Sequence, residues 1–293
     1  MSAGVASAEL RVPLTPPFAS GPLLAALRSH TVPGLERHDA ATGTHTRAIR
    51  TRHGAATVSV TLRDTDHVTV RIAGTAPRDT AEVVETVRHW LDLDTDPAIV
   101  DAAFADDPRL GPLTVATPGL RVLGSTDWFS TAVQTVLGQQ VSVAAACTFG
   151  GRLVAEYGDD APGGLRCFPT PQRLAGADPE RLRAVIGTTR SRARTVQALA
   201  AAAGEGLDPA TASFRADLLA LPGIGPWTVE YLALRVLGDR DAYPSGDLVL
   251  RRALGVDTTR EVLERAQSWR PWRAYAVSHL WTVAAYSPSV SSA

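Results

Sequence analysis

Hydrophobic and polar residues alternate along three segments in the first hundred residues of the chain. Segments 46–52, 56–62 and 67–72 place apolar side chains at every second position, the period of a strand with one buried face. Segment 80–93 instead spaces its apolar residues for one face of a helix. The pattern predicts a small antiparallel sheet with a helix, which we assign to residues 1–98.

From about residue 97 the strand pattern stops and helical spacing dominates, interrupted by Pro/Gly clusters near 108–118, 159–171 and 204–209. Asp127 can cap a helix that runs to residue 137, and Gln139 and Gln140 then follow Gly138 before apolar spacing resumes over 141–157. Two amide side chains should therefore lie at a corner between helices. The fold class is α+β, with a second, helical region over 99–293.

A later helix, predicted over 189–203, carries three arginines in its first turn. Arg190, Arg192 and Arg194 are opposed by the positive end of the helix dipole. This crowding favours a role in binding an external anion.

Residues 221–228 (LPGIGPWT) are typical of a tight turn between two helices, within a helix-hairpin-helix of about 214–237. Gly223 and Gly225 lack Cβ atoms, so this turn can adopt positive φ and bring its backbone N–H groups against an anion. A DNA phosphate suits that geometry.

One carboxylate and three aromatic residues are the candidates for chemistry. Helical phasing places Trp227, Tyr231 and Arg235 on one face, because they are four residues apart. Asp247 follows a glycine at the start of a helix over 248–254, and Trp281 lies in a final helix over 272–285. If these groups converge, they form an aromatic pocket with a carboxylate at its floor, a chamber suited to a flipped base.

Several separate strings resemble those of the 3-methyladenine DNA glycosylase II family, within the helix-hairpin-helix DNA glycosylases. They are residues 137–144 (LGQQVSVA), 167–174 (CFPTPQRL), the hairpin, and 269–276 (WRPWRAYA). The resemblance implies excision of alkylated purines from DNA, a scaffolding role for residues 1–98, and a monovalent cation bound at the hairpin. It implies that Asp247 is catalytic, that Trp227, Tyr231 and Trp281 form the base pocket, and that Gly223, Gly225 and Gln140 contact DNA. Their own positions add three residues to the expected DNA contacts: Gln139 at the helix corner, and Arg190 and Arg192 at the helix start.

Two positions decide how the chemistry should differ from that of relatives. Gln140 stands where the family places a leucine that enters the duplex gap left by the extruded nucleotide. Trp227 stands where bifunctional members of the superfamily place a Schiff-base lysine. Because all 29 basic residues of this chain are arginine, we expect monofunctional chemistry.

The composition limits which binding sites the chain can contain. With 30 acidic and 29 basic residues the net charge is −1, so a DNA site must be a local patch. Cys147 and Cys167 fit neither a zinc site nor an iron–sulfur cluster, and no metal or cofactor is expected. His279 should be a hydrogen-bonded structural histidine.

No signal peptide or membrane span is expected, so we predict a cytoplasmic, nucleoid-associated monomer that acts on double-stranded DNA with damaged bases. Two alternatives stay open, namely a glycosylase for oxidised or deaminated bases, and a non-catalytic helix-hairpin-helix DNA-binding protein.

Overall fold

The computed structural model describes residues 7–286 of the chain, and its first part is a five-stranded antiparallel sheet. The strand order is β1-β5-β4-β3-β2. The strands are β1 (Ser7–Pro13), β2 (Glu36–Asp39), β3 (Thr44–Thr51), β4 (Gly54–Thr61) and β5 (His67–Ala73). The three strands expected from alternation are therefore confirmed within two residues at each end, and they form the centre of the sheet.

The two strands that the pattern missed lie at the sheet edges. β1 and β2 carry charged side chains such as Glu9, Arg11 and Arg37 on exposed positions. Edge strands commonly carry charges that discourage pairing with another chain, and those charges weaken the apolar signal.

Two helices cover one face of the sheet. Leu23 and Leu27 of α1 (Ser20–Ser29) and Val83, Val87 and Trp90 of α2 (Thr80–Leu91) share a core with the inward residues of the strands. The predicted helix at 80–93 is confirmed to within two residues.

The remainder of the described chain is helical apart from one short hairpin, β6 (Asp159–Asp160) with β7 (Arg166–Cys167), which the sequence pattern did not indicate. The helices are α3 (Pro97–Phe104), α4 (Gly111–Ala116), α5 (Trp128–Gly138), α6 (Val143–Tyr157), α7 (Pro171–Ala175), α8 (Pro179–Ile186), α9 (Arg190–Gly204), α10 (Phe214–Ala220), α11 (Pro226–Arg235), α12 (Leu248–Leu254), α13 (Thr259–Arg265) and α14 (Arg273–Trp281), which continues as a π-helical turn (Thr282–Tyr286). The expected α+β class is confirmed. The division at residue 98 stays a prediction.

Two hydrophobic cores organise the helices, and α11 contributes to both. Val229 and Leu232 pack in a core with α5 to α10, whereas Ala233 and Leu234 pack in a second core with α3, α12, α13 and α14. Helix α11 therefore lies between the two helical cores. This position brings residues of the hairpin close to the start of α12 and the end of α14.

Candidate active site and DNA-binding elements

The hairpin between α10 and α11 uses its two glycines differently. Gly223 has φ +80°, and a Cβ there would lie 2.1 Å from Thr195 Oγ1 of α9. Gly225 has φ −109° and is the N-cap of α11, with no atom within 4 Å of an added Cβ. The expectation of positive φ is therefore confirmed at Gly223 and wrong at Gly225, where the missing side chain leaves open space beside the helix N-terminus.

Asp247 is the N-cap of α12, as the sequence indicated. Its Oδ1 accepts hydrogen bonds from the backbone N–H of Val249 at 2.8 Å and of Leu250 at 3.0 Å. The indole Nε1 of Trp281 donates to the same oxygen at 3.3 Å, and that of Trp227 donates to Oδ2 at 3.2 Å. Oδ2 thus has one weak donor and remains the more available oxygen of a half-buried carboxylate.

The three predicted pocket aromatics come together as one wall. Trp227 and Tyr231 stack with ring centroids 5.2 Å apart and planes 22° apart. Trp281 lies 5.9 Å from Tyr231 at 47°. All three are half-buried, so the wall is partly open to solvent beside Asp247.

Arg235 extends this wall along the same face of α11, as helical phasing predicted. Its Nη1 donates to the hydroxyl of Tyr231 at 2.7 Å, and its guanidinium carbon lies 5.5 Å from the Tyr231 ring centroid. Nε and Nη2 donate to the carbonyl of Gly124 at 3.3 and 3.1 Å. Gly124 also donates its N–H to the Trp90 carbonyl of α2, which links the wall to a helix that covers the N-terminal sheet.

Gln139 and Gln140 lie at the predicted corner between α5 and α6 but in different settings. Gln139 is half-buried, and its Nε2 donates to the Gly223 carbonyl at 3.0 Å and to Thr228 Oγ1 at 3.3 Å. Gln140 is exposed and has φ +58°. Gln139 therefore fastens the corner to the hairpin, whereas Gln140 is presented to solvent.

The arginines at the start of α9 have partners inside the protein. Arg190 pairs with Glu180 at 2.9 Å, and Arg192 donates to Thr188 Oγ1 at 2.9 Å and to the carbonyl of Gln139. Crowding at this helix start therefore does not by itself indicate an external anion. Contact of Arg190 and Arg192 with DNA stays a prediction.

Sequence reasoning missed Glu230, which holds the loop before Asp247. Its Oε2 accepts the Tyr243 N–H at 2.9 Å, and Oε1 pairs with Arg215 at 3.4 Å. The available signal was a carboxylate in α11 one turn after Trp227, on a helix whose neighbouring positions are apolar. Burial raises the pKa of Tyr243 well above its ordinary value, so this loop residue is a neutral packing group.

The hairpin carbonyls are oxygen ligands of the kind a monovalent cation uses, yet two already accept hydrogen bonds. Leu221 O accepts from Ile224 N at 3.2 Å, and Gly223 O accepts from Gln139. Each keeps a second lone pair, so these oxygens remain compatible with a cation.

Neither a metal centre nor a membrane span is evident in the part of the chain that the structure describes. Within residues 7–286 no group of three or more His, Cys, Asp and Glu side chains could hold a metal ion. In the same range no helix combines the length and the apolar character needed to cross a membrane.

Comparison with known proteins matches both parts of the chain. Residues 9–127 match the AlkA N-terminal domain family, and residues 133–270 match the HhH-GPD superfamily of base excision DNA repair proteins. A Mycobacterium tuberculosis protein named "Probable bifunctional transcriptional activator/DNA repair enzyme AlkA" is 39% identical over 96% of this chain. The match spans only 58% of that relative's length.

Two further proteins are similar over much of their own length. DNA-3-methyladenine glycosylase 2 of Escherichia coli is 38% identical over 71% of this chain and 74% of its own. The solved 3-methyladenine DNA-glycosylase of Archaeoglobus fulgidus superposes with a TM-score of 0.77 at 20% identity, over 94% of this chain and 98% of its own. At that identity the structural likeness shows the shared fold.

Proposed function

The chain belongs to the AlkA-type branch of the helix-hairpin-helix DNA glycosylases, and from this premise we propose that it excises alkylated purines from double-stranded DNA in base excision repair. The relatives' names supply the class of reaction. The arrangement of this chain's own residues supports the role that we assign to each residue below.

The observation that carries the proposal is the convergence of two indole N–H groups on Asp247. Two aromatic rings are thereby fixed beside one carboxylate, at the meeting of two helical cores. When the bond between sugar and base breaks, the sugar becomes positively charged, and a carboxylate placed beside it stabilises that charge. We assign this role to Asp247, with Oδ2 as the oxygen that also orients or deprotonates the attacking water.

The aromatic wall supplies binding energy for the extruded base. A purine alkylated on a ring nitrogen is cationic, and an aromatic face attracts a desolvated cation by roughly 0.5 to 2 kcal/mol. Trp227, Tyr231 and Trp281 offer such faces next to Asp247. The positive charge also weakens the glycosidic bond, so no further acid is required to release the base.

Two elements would hold the DNA. The open N-terminus of α11 at Gly225 presents backbone N–H groups to a phosphate, and exposed Gln140 enters the duplex beside the extruded nucleotide. Because the Gln139 side chain joins the corner to the hairpin, binding of a phosphate at α11 places Gln140 at a defined depth.

We propose monofunctional hydrolysis, since Trp227 occupies the lysine position of bifunctional enzymes and the chain has no lysine. We further expect a monomer that acts in the cytoplasm on the nucleoid, with no cofactor. A monovalent cation at the hairpin would strengthen the phosphate grip without entering the reaction.

The proposal is tested by incubating the protein with duplex DNA treated with a methylating agent and measuring the bases released. We expect 3-methyladenine and 7-methylguanine to be released and the strands to stay intact. Release only from parallel duplexes that carry an oxidised or a deaminated base would favour the second function considered above. Binding without any release would instead favour a non-catalytic DNA-binding protein.

A further inference from the structure

Arg235 places a positive charge beside the aromatic wall, and no carboxylate of residues 7–286 forms an ion pair with it. Its hydrogen-bond acceptors are the Tyr231 hydroxyl and the Gly124 carbonyl, which are neutral. Within residues 7–286 it forms no ion pair, whereas Arg215, which contacts the same helix, pairs with both Glu230 and Asp239. A guanidinium stays protonated at any physiological pH.

This charge is fixed in place and acts beyond its own helix. Three hydrogen bonds orient the guanidinium, and the side chain is half-buried. Burial lowers the pKa of the His30 imidazole below its ordinary value, and the positive charge of Arg235 lowers it further. The charge of Arg235 therefore also acts on His30, the residue that follows α1.

We propose that Arg235 is a specificity-determining residue of the base pocket, whose unpaired positive charge weakens the binding of cationic bases and speeds the release of neutral ones. This inference rests on the proposed function. It assigns Arg235 no contact with the reacting atoms.

The two effects follow from where the electrons go. When C1′–N9 breaks, its electron pair moves to the base, water adds its hydroxyl to C1′, and the remaining proton ends on the base or in solvent. A cationic base becomes neutral in this step, so the repulsion from Arg235 is largest before the bond breaks. A neutral base becomes anionic, so Arg235 stabilises it as the bond breaks.

The size of the effect can be bounded by Coulomb's law. If a charged base lies about 8 Å from the Arg235 guanidinium, their repulsion lowers the affinity roughly fivefold at an effective dielectric constant of about 40 and roughly thirtyfold at about 20. Solvent access to the half-buried wall favours the lower figure, so we expect a change of about fivefold.

The first measurement compares binding of two duplexes that differ only in the charge of one base. One carries 7-methylguanine on a 2′-fluoro sugar that resists hydrolysis, and the other carries its neutral isostere 7-methyl-7-deazaguanine on the same sugar. Arg235→Gln and Arg235→Met should raise the preference for the cationic duplex about fivefold. Arg235→Lys, which keeps the charge, should leave it within twofold.

A matched control removes the same charge elsewhere. Arg260 is 87% exposed and pairs with Glu264 on α13. Arg260→Gln should change both affinities alike and leave their ratio unaltered. An unchanged ratio in Arg235→Gln and Arg235→Met, or an equal shift in Arg235→Lys, would overturn the inference.

The second measurement is single-turnover release of a cationic and a neutral base from otherwise identical duplexes, using 7-methylguanine and hypoxanthine. Arg235→Gln should slow hypoxanthine release about fivefold while 7-methylguanine release holds or rises. A purely structural role would slow both, and that result would count against the inference. If the wild-type protein released neither base, the proposed function would fail, and the binding ratio would still decide the role of Arg235.

Discussion

At the scale of single residues, Asp247 serves both as a helix cap and as the carboxylate at the aromatic wall. Oδ1 is occupied by two backbone N–H groups and the Trp281 indole, which fix the orientation of the side chain. Oδ2 is left with the Trp227 indole alone. One oxygen therefore positions the group, and the other is available for the sugar and water.

Asp247→Asn should abolish base release, lowering its rate by roughly a hundredfold or more, because the stabilising charge is lost. Binding of lesion DNA should stay intact or tighten, since a repulsion from phosphate is removed. Asn still caps a helix, so folding should be kept. Single-turnover release and equilibrium binding check this.

A matched control for Asp247→Asn is Asp178→Asn, because Asp178 caps α8 through Arg181 N and lies outside the aromatic wall. It should release bases at the wild-type rate. Near-normal release by Asp247→Asn would move the chemistry to another group.

Gln140 combines exposure with a left-handed backbone. Residues with a Cβ adopt positive φ at a cost of about 1 kcal/mol or more, so the corner is held by its surroundings. The preceding residue, Gln139, is fixed by two contacts. Its side chain donates to the hairpin, and its carbonyl accepts a hydrogen bond from Arg192. The constraint makes Gln140 better suited than Gln139 to enter the duplex.

Gln140→Leu should therefore alter selectivity more than chemistry. Leucine restores apolar stacking and should raise affinity for lesions opposite any base, whereas glutamine favours opposite bases that offer it a hydrogen bond. Release rates measured opposite each of the four bases should vary more in the wild type than in this variant. If Gln140→Leu and Gln140→Ala both match wild type in affinity and rate, Gln139 becomes the candidate instead.

At the scale of elements, the two hairpin glycines differ in what they are needed for. Gly223 is needed for folding, and we expect Gly225 to be needed for DNA binding. Gly223 needs both its positive φ and the space that Thr195 leaves, while Gly225 needs neither. The sequence alone could not separate them, because both residues lie in the same short turn and only the packing of α9 distinguishes them.

Substitutions at the two glycines should have different consequences. Gly223→Ala should lower the free energy of unfolding by about 1 to 3 kcal/mol through strain and the clash with Thr195, measured by urea denaturation. Gly225→Val should stay folded yet weaken binding to damaged and undamaged duplexes alike by roughly tenfold, the equivalent of one hydrogen bond to a charged group.

The control is Gly204→Val. Gly204 is the last residue of α9, and a Cβ added there has no atom within 4 Å, so this variant introduces a valine away from the proposed DNA contacts. A loss confined to damaged DNA in Gly225→Val would indicate that the hairpin contacts the lesion itself.

Helix α14 contains a buried histidine that the sequence led us to expect as hydrogen-bonded. His279 is buried against Phe104 of α3, and its Nε2 has no hydrogen-bond partner within residues 7–286. Burial lowers the pKa of His279 to about 4. The neutral form is favoured in the folded protein, so stability is complete above the unfolded pKa of about 6.5 and is lost as the pH falls toward 4.

Lowering the pH from 7.5 to 5.0 should therefore reduce the free energy of unfolding by about 2 kcal/mol through His279. In His279→Leu this component should be absent, although the variant differs in absolute stability. Urea denaturation of both proteins at both pH values measures the difference. An identical pH dependence in the two proteins would assign the loss to other groups.

At the scale of the whole molecule, buried contacts join the sheet region to the helices of the site. Burial opposes ionisation of Glu36, yet Arg47 and His45 hold its pKa at about 2. Arg47 also donates to Ser130 of α5 at 2.8 Å, and α5 leads to the Gln139 corner. The sheet region thus supports the corner that we propose to enter DNA, which agrees with a scaffolding role.

Much of this architecture follows from local pattern, and the remainder depends on contacts between distant residues. The central strands, α2, the caps at Asp127 and Asp247, and the alignment of Trp227 with Tyr231 are set by residues close in sequence. The approach of Trp281 to Asp247, the hold of Glu230 on the Tyr243 loop and the link from Arg235 to Gly124 join separate elements. Only the family resemblance anticipated the first of these.

The complete absence of lysine has a consequence for the product of the reaction. No side-chain amine can attack C1′, so the product should be an intact abasic site without strand cleavage. Borohydride should trap no covalent complex when the N-terminal amine is blocked, with a lysine-dependent glycosylase as positive control. A trapped adduct formed by the blocked protein would contradict monofunctional chemistry.

The pair of indoles on Asp247 also gives the molecule an internal spectroscopic reporter. The chain has six tryptophans, so a ¹⁵N-labelled sample yields at most six indole resonances, and two of these belong to groups that donate to the same carboxylate. Their chemical shifts depend on the charge and distance of their acceptor. Occupation of the wall by a base can therefore be followed at the nitrogen nuclei themselves, without a dye and without turnover.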